Sequence, residues 1–121
     1  MVSMIVPADP HITLVPGFRA AGVSCGLKPG RQLDLALVAA DVPCVAAAVF
    51  TTNQVQAAPV VYDRQVMDNV TPVQGVVINS GCANACTGTR GLHDAAEMSA
   101  LVEADAGFPT GSVLVMSTGV I

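Results

Sequence analysis

Three short runs of small polar residues carry the chemistry this chain can offer: Phe50-Thr51-Thr52-Asn53, Asn79-Ser80-Gly81-Cys82-Ala83-Asn84-Ala85-Cys86-Thr87-Gly88, and Ser117-Thr118-Gly119. Each follows an apolar run. Hydroxyls, amides and unobstructed glycine N–H groups delivered at strand tips suit the binding of a carboxylate or a developing oxyanion. The same residue types are also ordinary turn formers, so any one run alone means little. Taken together they predict a shared edge where three strands deliver donors.

A reacting group to accompany those donors is not evident. A Ser–His–Asp hydrolase needs a base within hydrogen-bond reach of its nucleophile. The two histidines are His11, in a proline-rich stretch, and His93, on the polar side of an expected helix. No G-x-S-x-G elbow frames a serine, and no H-x-x-x-H or carboxylate cluster suggests a metal. Neither G-x-G-x-x-G nor a Walker sequence is present to cradle phosphates. Cys82 and Cys86 stand four apart, not in a C-x-x-C, and the four cysteines read as buried free thiols acting as small hydrophobes.

The elements that must position these groups follow from periodicity. Met1 to Pro16 is expected to be an irregular tail, broken by Pro7, Pro10 and Pro16. Gly17 to Gly26 reads as a glycine-punctuated edge strand, and Lys28-Pro29-Gly30 as a turn. Two buried strands, Leu33 to Ala39 running on and Val45 to Thr52, are expected to join at a turn through Asp41-Val42-Pro43. Ala58 to Asp63 reads as a further strand, with a short helix over Arg64 to Asn69. Val73 to Asn79 and Val113 to Ser117 complete a β-rich frame. One amphipathic helix spans about Gly91 to Ala106, with Ala95, Met98, Val102 and Ala106 on its core face. Asp94, Glu97, Glu103 and Asp105 are expected to face water. Thr87 or Thr89 is the expected N-cap; Gly107 is the expected left-handed stop, and Pro109 prevents continuation. The order of elements predicts an α/β sandwich with strand directions open.

Composition narrows the class. The 121 residues are 52% hydrophobic but only 3% aromatic, without Trp, so the core must be built from Ala, Val and Leu. A mean hydropathy of +0.60 with 12% charged residues predicts apolar surface held against another polypeptide. A net charge of −4, with five scattered cations and no aromatic–cation run, argues against nucleic acid. Leu35 to Phe50 is interrupted by Asp41 and Pro43 and falls short of the ~20 residues of a spanning helix. With no basic leader evident either, the expectation is a cytoplasmic protein that binds no membrane.

The runs also match a known family in order. Gly17-Phe18-Arg19-Ala20-Ala21-Gly22-Val23, Asp34-Leu35-Ala36-Leu37, Ala47 to Asn53, Ala57-Ala58-Pro59-Val60, Asn79-Ser80-Gly81 with Ala83 to Gly88, and Ser117-Thr118-Gly119-Val120-Ile121 resemble the ornithine acetyltransferase family. These are the bifunctional glutamate N-acetyltransferases of arginine biosynthesis. Cys82 stands where Asn is more usual. The resemblance covers residues 1–121 as the N-terminal segment of an α chain. It implies an incomplete layered α-β-β-α sandwich with mixed sheets, and transfer of an acetyl group from N-acetylornithine to glutamate, with acetyl-CoA as a further donor in some members. No cofactor is implied. It assigns Thr118 and Gly119 to an oxyanion hole that serves a threonine nucleophile released by self-cleavage. No threonine here lies in the Ala-Thr cleavage context, so the nucleophile is expected from outside this polypeptide and the chain alone is expected to be inactive. The implied partners are the remaining α-chain sequence and the β chain, in a heterotetramer. A non-catalytic binding module of the same fold and an aminopeptidase-like relative are the alternatives.

Overall fold

The computed structural model describes residues 9–69 and 71–121; the first eight residues of the expected irregular tail lie outside them, and the rest of that tail holds a single 3-10 turn, Ile12–Leu14. Four strands form one sheet in sequence order: β1 (Phe18–Val23), β2 (Leu35–Cys44), β3 (Val73–Cys82) and β4 (Val113–Val120). β1–β2 and β2–β3 are antiparallel, and β3–β4 is parallel. The parallel pair requires a crossover, which α2 (Gly88–Ala106) supplies; α1 (Ala58–Asp68) connects β2 to β3. The two helices pack on each other and on β4. The result is a mixed α/β architecture with an open sheet and one helical layer, in keeping with the α/β reading.

The core lies between sheet and helices. Val77, Val113, Val115 and Ala95 are fully enclosed, with Leu35, Leu37, Tyr62, Met98, Val102 and Phe108 packed around them. Pleating sends alternate residues to opposite faces, so Val76, Ile78, Leu114 and Met116 face away from the helices and stay at least partly exposed. β2 is a single strand rather than two. The Asp41-Val42-Pro43 segment lies inside it as a register shift between Ala39 and Cys44, where the missing proline N–H is tolerated.

Two expected strands are absent. Val45 to Thr52 is irregular, and its β-branched Val45 and Val49 are wholly exposed; alanine-rich sequence has little preference for a pleated surface. Ala58 to Asp63 is the first half of α1, not a strand. Pro59 sits in the first turn, where it has no hydrogen bond to lose, and Ala58, Tyr62 and Val66 recur at i, i+4 towards the core. The Val60-Val61 pair, which reads as strand, is overridden by that packing.

α2 begins three residues earlier than expected and ends on Gly107, whose φ of 68° provides the left-handed stop. Thr87 occupies the N-cap but makes no capping bond; its hydroxyl donates to Asn84 Oδ1 at 2.5 Å. Among the described residues, no helix is long and apolar enough to cross a membrane. The thiols are free, but Cys25, Cys82 and Cys86 are exposed and Cys44 is only half-buried, so they are not the core hydrophobes expected.

One polar group organises the connection from β1 to β2. Asp34 is 2% exposed; its carboxylate accepts the Cys25 N–H at 2.6 Å and the Lys28 N–H at 2.8 Å, and its carbonyl accepts the Ser80 N–H at 2.8 Å. Those amide donors, Cys25 foremost, hold its carboxyl down to about 2.

Candidate functional site

The start of the second polar run and the whole of the third lie within strands, whereas residues 50–53 are irregular. Asn79, Ser80, Gly81 and Cys82 of β3 pair in parallel register with Ser117, Thr118, Gly119 and Val120 of β4. The two runs thus form one surface at the carboxyl end of a parallel pair, the end where open α/β sheets present ligand sites. Gly119 has a φ of 138°, and a Cβ there would overlap the backbone of Gly81 and Cys82. Only glycine permits the two backbones to approach that closely.

Backbone direction along β4 follows from its partners. The Ser112 carbonyl accepts Gln74 and Gly75 N–H, and the Val120 carbonyl accepts Ala83 N–H at 2.9 Å, so within β4 the even-numbered residues turn their N–H and C=O towards β3, while Ser112, just ahead of the strand, turns only its carbonyl there. Odd-numbered residues turn theirs outward: Val113 N–H donates to Glu103 Oε1 at 3.2 Å and Val115 N–H to Asp63 Oδ1 at 2.8 Å. The same alternation directs the Ser117 and Gly119 N–H groups to the outer edge. Side chains alternate with it: Thr118 falls on the helix-free face with Leu114 and Met116, and both Thr118 and Gly119 are exposed. A hydroxyl and an outward amide therefore flank one open corner.

The outer edge borders a cleft of about 330 Å³, with Val49, Phe50, Val60, Asp63, Met116 and Ser117 among its walls. Phe50 is held there by Arg64, whose guanidinium lies 4.9 Å from the ring centroid. The first and third polar runs therefore meet, but only through Phe50 and Ser117. Thr51 and Asn53 are spent on local turns: Asn53 N–H donates to Thr51 Oγ1 and Val55 N–H to Asn53 Oδ1. Burial pushes the Asp63 carboxyl up to about 6, opposed by the Val115 N–H that it accepts. Ser117 Oγ is enclosed without a hydrogen-bond partner.

The second run is mostly scaffold. Asn79 Nδ2 donates to the Cys82 carbonyl at 2.7 Å, Asn84 Nδ2 donates to the Gly91 carbonyl at 2.8 Å, and the Asn84 carbonyl accepts Ala58 N–H at 3.2 Å. These bonds tie the end of β3 to the starts of both helices and leave few donors for a ligand.

Sequence reasoning misses three participants. Glu103, expected to face water, is 6% exposed, and its Oε1 accepts the N–H groups of Ser112 and Val113 at 2.9 and 3.2 Å. Ser99 lies fully buried beside it, its hydroxyl 3.0 Å from Glu103 Oε1 and 2.9 Å from the Val113 carbonyl. Asp63 is hidden within a stretch that reads as strand. The available signal is spacing: Ala95, Ser99 and Glu103 recur at i, i+4 on the core face of α2. His93 is exposed, as expected, and lies 3.8 Å from Glu97 and 3.9 Å from Asp94. These three could present ligand atoms together, but all are exposed.

This sheet order and paired tip belong to a recognisable class: residues 19–121 match the ArgJ family, and the chain belongs to it. It is 50% identical over 115 residues to the mitochondrial "Arginine biosynthesis bifunctional protein ArgJ" of Uncinocarpus reesii, covering 87% of this chain and 25% of that protein. It is 47% identical over 106 residues to the protein of the same name, without the mitochondrial label, from Thermotoga neapolitana, covering 87% of this chain and 26% of that one. Among solved structures, ArgJ of Bacillus halodurans superposes with a TM-score of 0.86 at 42% identity, over 91% of this chain and 57% of that chain. Ornithine acetyltransferase of Mycobacterium tuberculosis, solved with ornithine, gives 0.79 at 46% identity, over 88% and 57%. The chain thus spans about a quarter of the length of the curated relatives it matches.

Proposed function

We propose that this chain supplies the oxyanion hole of an acetyltransferase of arginine biosynthesis, with Thr118 Oγ1–H and Gly119 N–H as the two donors. The observation that carries the reading is the exposed corner of β4, where an outward Gly119 amide adjoins the Thr118 hydroxyl. The relatives' names support the pathway, and one solved neighbour is an ornithine acetyltransferase.

In this reading a threonine hydroxyl from sequence outside these 121 residues attacks the acetyl carbonyl carbon of N-acetylornithine. The C=O π pair moves onto oxygen, and the resulting oxyanion accepts hydrogen bonds from Thr118 and Gly119. Collapse restores the carbonyl and expels the ornithine amine, which takes up the proton that the threonine hydroxyl gave up on attack, leaving an acetyl-threonine ester. The glutamate amine then attacks that ester through a second oxyanion at the same donors, and the threonine hydroxyl is regenerated. Acetyl-CoA would enter as an alternative donor, its thiol leaving in place of the amine. The partners are the remaining α-chain sequence and the β chain; alone, this segment does not turn over.

The decisive substitution is Thr118→Val, which keeps the shape and removes the hydroxyl. In the chain assembled with the remainder of a family enzyme, kcat for acetyl transfer should fall by about 10²–10³ with KM little changed. Full activity in that variant would remove Thr118 from the reaction. Thr118→Ser should retain most of the rate, because it preserves the donor.

A further inference from the structure

The outer edge of β4 is partly occupied by side chains that the proposed reaction does not use. Glu103 Oε1 accepts the Ser112 and Val113 N–H groups, and Asp63 Oδ1 accepts the Val115 N–H. These amides lie at the start of β4, whose far end carries Thr118 and Gly119. Both acceptors come from helices, Asp63 from α1 and Glu103 from α2, so each helix grips the strand at a different height. An unguarded edge invites pairing with another strand, and edges are commonly protected by charged residues or covered by a helix. Beyond Val115 the helices make no further hydrogen bond to that edge among the described residues.

The geometry points to Asp63 and Glu103 as positioning residues for the Gly119 amide: they fix β4 in the plane of the sheet and close its lower edge to strand addition, which leaves the Gly119 N–H directed outward and unpaired. This rests on the oxyanion reading for its catalytic meaning, while the positional claim stands on the backbone alone. A hydrogen-bonding group displaced by about an ångström from its productive place can cost about 10²-fold in rate. Two anchors upstream of Gly119 are the means by which the fold holds one donor to that precision. Asp63 is the closer of the two, because the amide it accepts, that of Val115, lies nearer along the strand to Gly119 than the Ser112 and Val113 amides held by Glu103.

The test separates position from stability. In 15N spectra of the full chain, Asp63→Ala should shift the Gly119 amide resonance and lower its backbone order parameter from about 0.85 to below about 0.6. Asp63→Asn, which retains an accepting oxygen, should restore both. Glu103→Gln is the matching conservative variant at the lower anchor, and it should leave Gly119 unchanged. In the assembled enzyme, Asp63→Ala should lower kcat per folded molecule by about tenfold or more while KM holds. A change confined to Val115, with the Gly119 resonance, its order parameter and kcat unaltered, overturns the proposal. Retention of activity in Thr118→Val would sink the oxyanion reading, yet the amide measurement would still decide the positional claim.

Discussion

The two halves of β4 have the same backbone but opposite surroundings. From Ser112 to Val115 the outward amides are received by Glu103 and Asp63, and the side chains of Val113 and Val115 fill the core. From Ser117 to Val120 the strand pairs only with β3, its residues are mostly exposed, and an enclosed hydroxyl goes unpartnered. The lower half has polar groups spent on holding the strand; the upper half has polar groups left over. Donors that are already satisfied cannot serve a ligand, so the difference marks where binding capacity lies and what pins it in place.

The harshest way to break the contrast is at the tip. Gly119→Ala combines a left-handed φ with overlap of the facing backbone, and should cost upward of ~3 kcal/mol in urea denaturation. Loss of activity there reports the fold as well as the donor, which is why Thr118→Val is the cleaner probe. Next comes the tethered half. Glu103→Ala strands two buried amides, and should cost roughly 2–4 kcal/mol by the same measurement, with Glu103→Gln recovering most of it.

Asp63 sharpens the comparison through pH. Its folded carboxyl is raised to about 6 from an ordinary 3.8, so the native state holds the proton more tightly than the unfolded chain. Stability contributed by that group is therefore full below about 4, declines as pH rises towards 6 and is lost above it. Denaturation midpoints followed across that interval should show this decline, and Asp63→Asn should flatten it. The smallest effect is expected at Ser117→Ala. Removing an enclosed hydroxyl that bonds to nothing should leave the thermal midpoint unchanged or raise stability by up to ~1 kcal/mol.

Sequence patterning locates β1, β3, β4 and α2, because their periodicity is long and their ends carry Gly or Pro signals such as Gly107 and Pro109. It misreads α1, where a Val-Val pair outweighs the proline that opens the helix, and it assigns a strand to Val45–Thr52, which finds no partner in the sheet. At the site, Thr118 and Gly119 are named through family resemblance alone, and both are exposed in the structure. Glu103 is not, since a charged residue on an amphipathic helix ordinarily faces water. Its burial depends on β4 arriving beside α2, a tertiary fact that no local window contains. The register that brings Gly81 against Gly119 is hidden for the same reason.

Asp34 has a reach beyond the turn it organises. One residue gathers the Cys25 and Lys28 amides with its side chain and the Ser80 amide with its main chain, while Lys28 and Leu27 lie over Gly81. The long connection before β2 is thereby moored beside the glycine pair. Acidification below an ordinary carboxyl's 3.8 erodes the stability this group lends, and as pH falls through about 2 it protonates, weakening the mooring and loosening the wall next to the corner.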